Sequence, residues 1–248
     1  MDTGCYGRAI QDESAHAGIG LRCGKGRKML QKIDTSPLHE RVYHQIKRAI
    51  QAGLYAPGQS SNYAQIAKEM GTSIMPVREA LNRLAAERAV DILPKRGVVI
   101  PTMTAEKFAE LGRIRLNLEG MAAEMAASAV TPADIETLER MDANMVVLYD
   151  KGDPWEDYVL TNYDFHFHVY GISKPQVLLP IIQSLWLQSG PLRNVYKDVG
   201  IMKNGNRHRN IIAALRRKDP ARARATVQAD LSAGFAFMCK ARGWKIGF

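Results

Sequence analysis

The sequence predicts a mainly α protein: an N-terminal winged helix-turn-helix with a small β-hairpin wing, followed by an all-α helical-bundle domain. Three observations predict it. Between residues 36 and 103, three helical patterns precede two short apolar runs joined by Pro94-Lys95-Arg96-Gly97, the order of a winged helix-turn-helix. Beyond Thr104 no convincing strand pattern appears, and apolar residues recur at helical spacing. Three cap-and-proline signals then divide that second part into separate helices.

The first helix is read from Leu38, Val42, Ile46 and Ile50, which form one apolar face and stop at Gly53. After the turn Ala56-Pro57-Gly58, Ser61 is expected to cap a second short helix over 62–70, closed by Gly71. Ser73 is expected to cap a third, with Pro76 in its first turn, running to about 87. The apolar runs 90–93 and 98–100 then form the hairpin wing. Further on, Thr131-Pro132-Ala133-Asp134 and Asp153-Pro154-Trp155-Glu156 each place a cap, a proline and an acid, and Asp219-Pro220 repeats the first pair. Helices are expected over 105–128, 132–150, 154–171, 175–190, 205–217 and 220–240. The domains are therefore 36–103 and 104–248. Residues 1–35, interrupted by glycine up to Gly26 and without an apolar core, read as a flexible basic arm and not a secretory signal.

Composition narrows the partners. Hydrophobic residues make up 46% of the 248 and charged residues 24%, so a fully disordered chain is excluded. Lys and Arg number 34 against 25 Asp and Glu, a net charge of +9, which favours a polyanionic partner. The longest apolar run, 177–187, is broken by Pro180, Gln183 and Ser184 and falls short of the ~20 residues that span a bilayer, so no membrane contact is expected. Cys5, Cys23 and Cys239 form no CxxC, which fits a reducing cytoplasm.

The segment 71–81 carries the sharpest chemistry. A helix that enters the major groove needs free backbone N–H groups for phosphate and polar side chains toward the bases. Val77, Leu81 and Leu84 share a face that would pack inward, while Arg78 and Asn82 share another. Lys95 and Arg96 add two cations beside Gly97 at the hairpin tip. A Ser-capped helix with scattered arginines is by itself an ordinary solvated helix. The ordered set of three helices and a basic hairpin is what points to double-stranded DNA.

Those residues carry a resemblance. Residues 36–103 resemble the DNA-binding domain of the GntR family of bacterial transcription regulators. The carriers are the run from Ala49-Ile50-Gln51-Ala52-Gly53 through Pro57-Gly58, Ile66-Ala67, Pro76-Val77-Arg78-Glu79-Ala80-Leu81 with Leu84, and Arg96-Gly97. The resemblance implies that Arg78 contacts the operator and that Gly97 sits at the wing tip. Ala64 and Ile74 stand where the family often has Arg, which departs from its usual half-site.

In the second domain, Asn162 and His166 lie four apart on one helix face, with His208 and Asp230 on later helices. Two imidazoles and a carboxylate suit a first-row divalent ion, with the Asn carbonyl as a weaker fourth ligand. Asp164 and His168 offer a competing pair on another face. Residues 105–240 resemble the FCD domain, the all-helical sensor of one GntR subfamily. Its carriers are Arg115 through Leu118-Glu119, Ala122-Ala123, the run from Asn162 to Tyr170, Pro175 through Pro180, His208-Arg209, Ile211-Ile212, Ala214-Leu215 and Asp219.

That resemblance implies a bound divalent metal ion (Zn, Ni, Mn or Fe) held by Asn162, His166, His208 and Asp230. Asn162 replaces the family's Asp, and Asp230 stands where many members have His. It also implies that Arg115 points into the same cavity and pairs the carboxylate of a small organic-acid effector. The expectation is a cytoplasmic homodimer that binds operator DNA under effector control, not an enzyme. A metal-dependent enzyme using the His/His/carboxylate centre is the rival, but no HExxH, nucleophile elbow or phosphate-binding glycine loop is present. A nucleoid-type binder without a ligand is the third class; it accounts for the charge but not for polar residues inside a bundle.

Overall fold

A computed structural model describes residues 22–23, 27–28, 37–94, 97–152, 154–202 and 205–248. The arm expected over 1–35 therefore lies outside the described residues, except for β1 (Arg22–Cys23) and β2 (Arg27–Lys28). These pair antiparallel, Arg22 opposite Lys28, where the glycine-rich composition predicted no strand.

From Leu38 onward the chain forms a second compact unit. Helix α1 (Leu38–Gln51) buries Val42, Ile46 and Ile50, three of the four residues whose spacing predicts the helix, together with Tyr43. Leu38 itself is exposed at the first turn. Helices α2 (Tyr63–Glu69) and α3 (Ile74–Ala86) follow, and α3 packs on α1 through Val77, Leu81 and Leu84, all buried. Ser61 does not cap α2. It lies in β3 (Ser60–Ser61), and Asn62 is the cap, its side-chain oxygen accepting from the Gln65 N–H. Either polar residue satisfies the cap rule, and pairing of the Ser60–Ser61 backbone with a strand decides between them.

The wing thus has three strands, in the order β3-β5-β4, with β4 at Asp91–Leu93 and β5 at Gly97–Val99. Ser61 faces Val98 and Ile92 faces Val98 from the other side, so β5 is central. Val98 and Ile100 point into the N-terminal core with α1 and α3.

Beyond Thr104 the architecture is all helical. Helix α4 (Ala105–Ala129) is capped by Thr104. Helix α5 (Pro132–Lys151) has the full capping box expected, Thr131 and Asp134 each bonding the other's backbone N–H. Helix α6 is Trp155–Gly171; Pro154 precedes it, while Asp153, the expected cap, lies outside the described residues. Helix α7 (Leu178–Ser189) is shorter than the spacing suggests, because Gly190-Pro191 ends it and the chain continues as a 3-10 turn, Gly190–Val195, and a short α8 (Tyr196–Val199). Proline has no N–H for the α-helical ladder, and tighter winding accommodates it. Helices α9 (Arg207–Arg216) and α10 (Pro220–Arg242) complete the bundle, α10 capped by Asp219 as expected. The long pair α4 and α10 forms its spine. No described helix is long and apolar enough to cross a membrane.

Candidate DNA-reading helix and ligand cavity

Helix α3 starts after Ser73 and carries no acid in its first turn, so the positive end of its dipole is unopposed. Ser73 sits at the N-cap, but its hydroxyl makes no cap hydrogen bond. Ile74 and Met75, 43% and 65% exposed, stand at the tip of the helix. Arg78 and Asn82 are both exposed, on the face away from Val77 and Leu81. The Arg78 guanidinium lies 5.6 Å from the centre of the Tyr63 ring on α2. That cation–π contact orients the side chain before any DNA arrives.

Lys95 and Arg96 lie outside the described residues. Gly97 corrects an expectation. It is buried with φ +92, and a Cβ there would lie 2.3 Å from the Ser61 carbonyl oxygen. Its missing side chain serves the approach of β3 to β5, so exposure at a wing tip is not what requires glycine.

In the bundle, α6, α9 and α10 bring His166, His208 and Asp230 together. One donor atom from each lies within 4.8 Å of the others, and all three residues are buried. His166 Nε2 stands 3.2 Å from Asp230 Oδ2, and His208 Nε2 stands 3.9 Å from the same oxygen. Asn162, one turn before His166, lines the same cavity. The competing pair is dispersed: Asp164 faces Arg48 of α1 at 3.6 Å, and His168 bonds Asp134 at 3.1 Å.

The surroundings fit a cation. His166 Nδ1 is 3.0 Å from the Tyr170 hydroxyl, which itself donates to Glu119 at 2.6 Å. With its own proton given to Glu119, the Tyr170 oxygen is left to accept from His166 Nδ1–H, and Nε2 is the ring nitrogen turned to Asp230. Burial alone would raise the Asp230 pKa, but His166, His208 and Arg207 outweigh it and hold the carboxyl at about 2. Burial lowers the His208 pKa, keeping its imidazole neutral. Two imidazoles and one carboxylate with donor atoms converging is a first-row ligand set. Asp142, its carboxyl held low by the neighbouring His208, stands 3.6 Å from His208 Nδ1, a buried nitrogen with no hydrogen-bond partner.

Sequence reasoning missed two partners. Arg207, beside His208, takes Asp230 Oδ1 at 3.0 Å and leaves Oδ2 for the imidazoles. Glu119 collects Tyr170, Trp186 Nε1 at 2.8 Å and Arg115 Nε at 2.6 Å. Arg115 does line the cavity, but its guanidinium is already taken. Both its Nε and Nη2 reach Glu119, its Nη1 donates to Ser189 at 3.0 Å, and its planar group lies against Trp186 and Phe235. A carboxylate partner inside the protein occupies the Nε/Nη2 edge of that guanidinium and neutralises its charge. The cavity holds about 60 Å³. At roughly 10–15 Å³ per water, that suits an ion with a small molecule and no polymer.

A winged helix-turn-helix joined to an all-helical bundle defines a DNA-binding regulator as the structural class. Comparison with known proteins gives the family. The model "Bacterial regulatory proteins, gntR family" matches residues 38–100, and the FCD domain model matches residues 110–233. The HTH-type transcriptional regulator McbR of Escherichia coli (strain K12) is 30% identical over 182 residues, 72% of this chain and 82% of that protein. The solved structure of E. coli McbR/YncC superposes with a TM-score of 0.80 at 26% identity, covering 84% of this chain and all of that one. The gluconate operon transcriptional repressor of Bacillus subtilis (strain 168) is 28% identical over 204 residues, 78% of this chain and 81% of the repressor. The chain belongs to the GntR family, with an FCD domain following its winged helix, and is a DNA-binding transcriptional regulator of that type.

Proposed function

We propose that this regulator binds a palindromic operator as a cytoplasmic homodimer, under the control of a small organic acid held at a divalent ion in the helical domain. The observation that carries the reading is the convergence of His166, His208 and Asp230 at one buried point, with Asn162 on the same wall. An ion there would supply a positive centre with open positions for an acid's oxygens. The likeness to a repressor named for a gluconate operon supports an acid as the effector class.

On the DNA side, Arg78 and Asn82 read base edges and the N-terminal turn from Ser73 receives a phosphate. Lys95 and Arg96 add backbone contacts from the wing. Ile74 and Met75, exposed at the helix tip where relatives often carry Arg at the first position, suit thymine methyl groups. A helix-turn-helix monomer covers one half-site, so two-fold pairing follows. The enzyme reading is not favoured: among the described residues, Asp230 is the one carboxylate lining the cavity, and it is a ligand, so none is left over as general base.

Selection of the full chain's preferred DNA from a random pool, followed by operator titration with and without a chelator, tests this reading. Chelation should leave DNA binding intact and abolish its response to carboxylates. A protein that selects no sequence above background contradicts it.

A further inference from the structure

One cation in the cavity has no acid of its own. Arg193, in the 3-10 turn after α7, is 7% exposed and lines the cavity. Among the described residues it has no hydrogen-bond or ion-pair partner, only the face of Trp186, whose centre is 4.4 Å from its guanidinium carbon. Arg115 touches the same indole at 4.3 Å but is neutralised by Glu119. Burial and the charge of Arg115 pull the Arg193 pKa down to about 10, so it stays positive at neutral pH. A guanidinium that is nine-tenths buried without a counter-ion is costly unless an anion completes it.

The same turn is where the bundle meets the DNA-reading domain. The next residue, Asn194, donates from Nδ2 to the Gly53 carbonyl at 2.7 Å, just past the end of α1. At the other end of the turn, a Cβ on Gly190 would lie 2.6 Å from the Ile50 carbonyl oxygen. At the last residue of α7, Ser189 holds Arg115, and Leu187, two residues earlier, is buried in the core of the winged helix. The cavity wall and the interdomain seam are one short piece of backbone.

We propose that Arg193 holds one carboxylate of a small dicarboxylate effector, and that the turn carrying it passes the event to the DNA-reading domain through Asn194 and Gly53. This rests on the acid-effector reading above. The diacid's second carboxylate faces the His166, His208 and Asp230 donors, where an ion would complete its binding. Ordering of Arg193 fixes Asn194 beside it, and that bond sets the end of α1, on which α3 is packed. An effector acts on DNA affinity only through such a difference between states.

Malonate is the probe, with binding to the full chain measured by calorimetry in metal-loaded and chelator-stripped protein. Arg193→Met, which keeps the apolar contact with Trp186 and removes the charge, should weaken malonate at least about tenfold. Arg193→Lys, which keeps the charge and loses the fork, should also weaken it by several-fold and guards against a folding defect in the first variant. Asn194→Ala should bind malonate like the wild type while its operator affinity no longer responds. Malonate affinity within twofold of wild type in both Arg193 variants overturns the inference; if stripping still abolishes binding, the metal-held effector stands without it. Binding that survives stripping but is lost in Arg193→Met upholds Arg193 and removes the metal. Wild-type protein that binds no malonate in either state overturns both. An operator response to malonate that persists undiminished in Asn194→Ala overturns the relay.

Discussion

Arg78 is the residue on which sequence-specific reading should depend most. Its guanidinium is exposed, unpaired with any acid in the described structure, and steadied by Tyr63. Arg78→Ala should cost about 1–3 kcal/mol per head for one bidentate base contact, twice over in a dimer. Fluorescence anisotropy with operator DNA checks it, and unchanged affinity at moderate salt contradicts the assignment of α3. If the proposed divalent ion sits there, removing His166 and His208 together should abolish its binding, because Asn162 and a single carboxylate cannot hold a first-row ion against water. Elemental analysis decides that. At this scale the convergence of His166, His208 and Asp230, with Asn162 on the same wall, is legible, since Asn162 and His166 share a helix face and the family pattern extends to His208 and Asp230. Arg193 and Arg207 are not, because no spacing rule ties a turn after α7 to a carboxylate on α10. Arg115 lines the cavity that its family position implies, but its pairing with Glu119, one turn along the same helix, follows from no motif.

The elements were legible wherever a local signal ends or caps them. Thr131 and Asp134 form the box their spacing predicts, and Asp219-Pro220 opens α10. Misreadings arose where long-range backbone pairing or a break in winding took over. Ser60 and Ser61 carry no strand pattern and become β3 only because β5 offers an unpaired edge. Gly97 is what admits that approach, so Gly97→Ala should destabilise the fold. A side chain at φ +92 costs about 1–3 kcal/mol, and the contact with Ser61 adds to it. A thermal melt should show the loss even without DNA. A melt unchanged from the wild type would return Gly97 to a DNA-contact role. Gly190, pressed on the Ile50 and Gln51 backbone, predicts the same kind of sensitivity at the seam.

Stability of the whole molecule should depend on pH through the cavity. The His208 pKa is lowered in the folded chain from its ordinary 6.5, so the unfolded chain binds more protons just below that value. The contribution is fully present above about 6.5 and is lost as pH falls below it. Asp230, held at about 2 against an ordinary 3.8, adds a further loss only in stronger acid, as pH falls through that range. Metal-stripped protein should therefore show a falling denaturant midpoint between about pH 7 and pH 5, with a shallower slope in His208→Asn. Equal slopes in the two proteins contradict the buried, neutral imidazole. Divalent metal should raise the melting temperature, since it binds only the folded arrangement of α6, α9 and α10. The claim that joins these observations is that the cavity governs the reading head. Its most direct test is the operator affinity of metal-loaded full chain as malonate is added. The account predicts a shift of about 5- to 150-fold in the wild type and none in the variant lacking both His166 and His208. A wild-type affinity indifferent to malonate, or an equal shift in the variant, would contradict it.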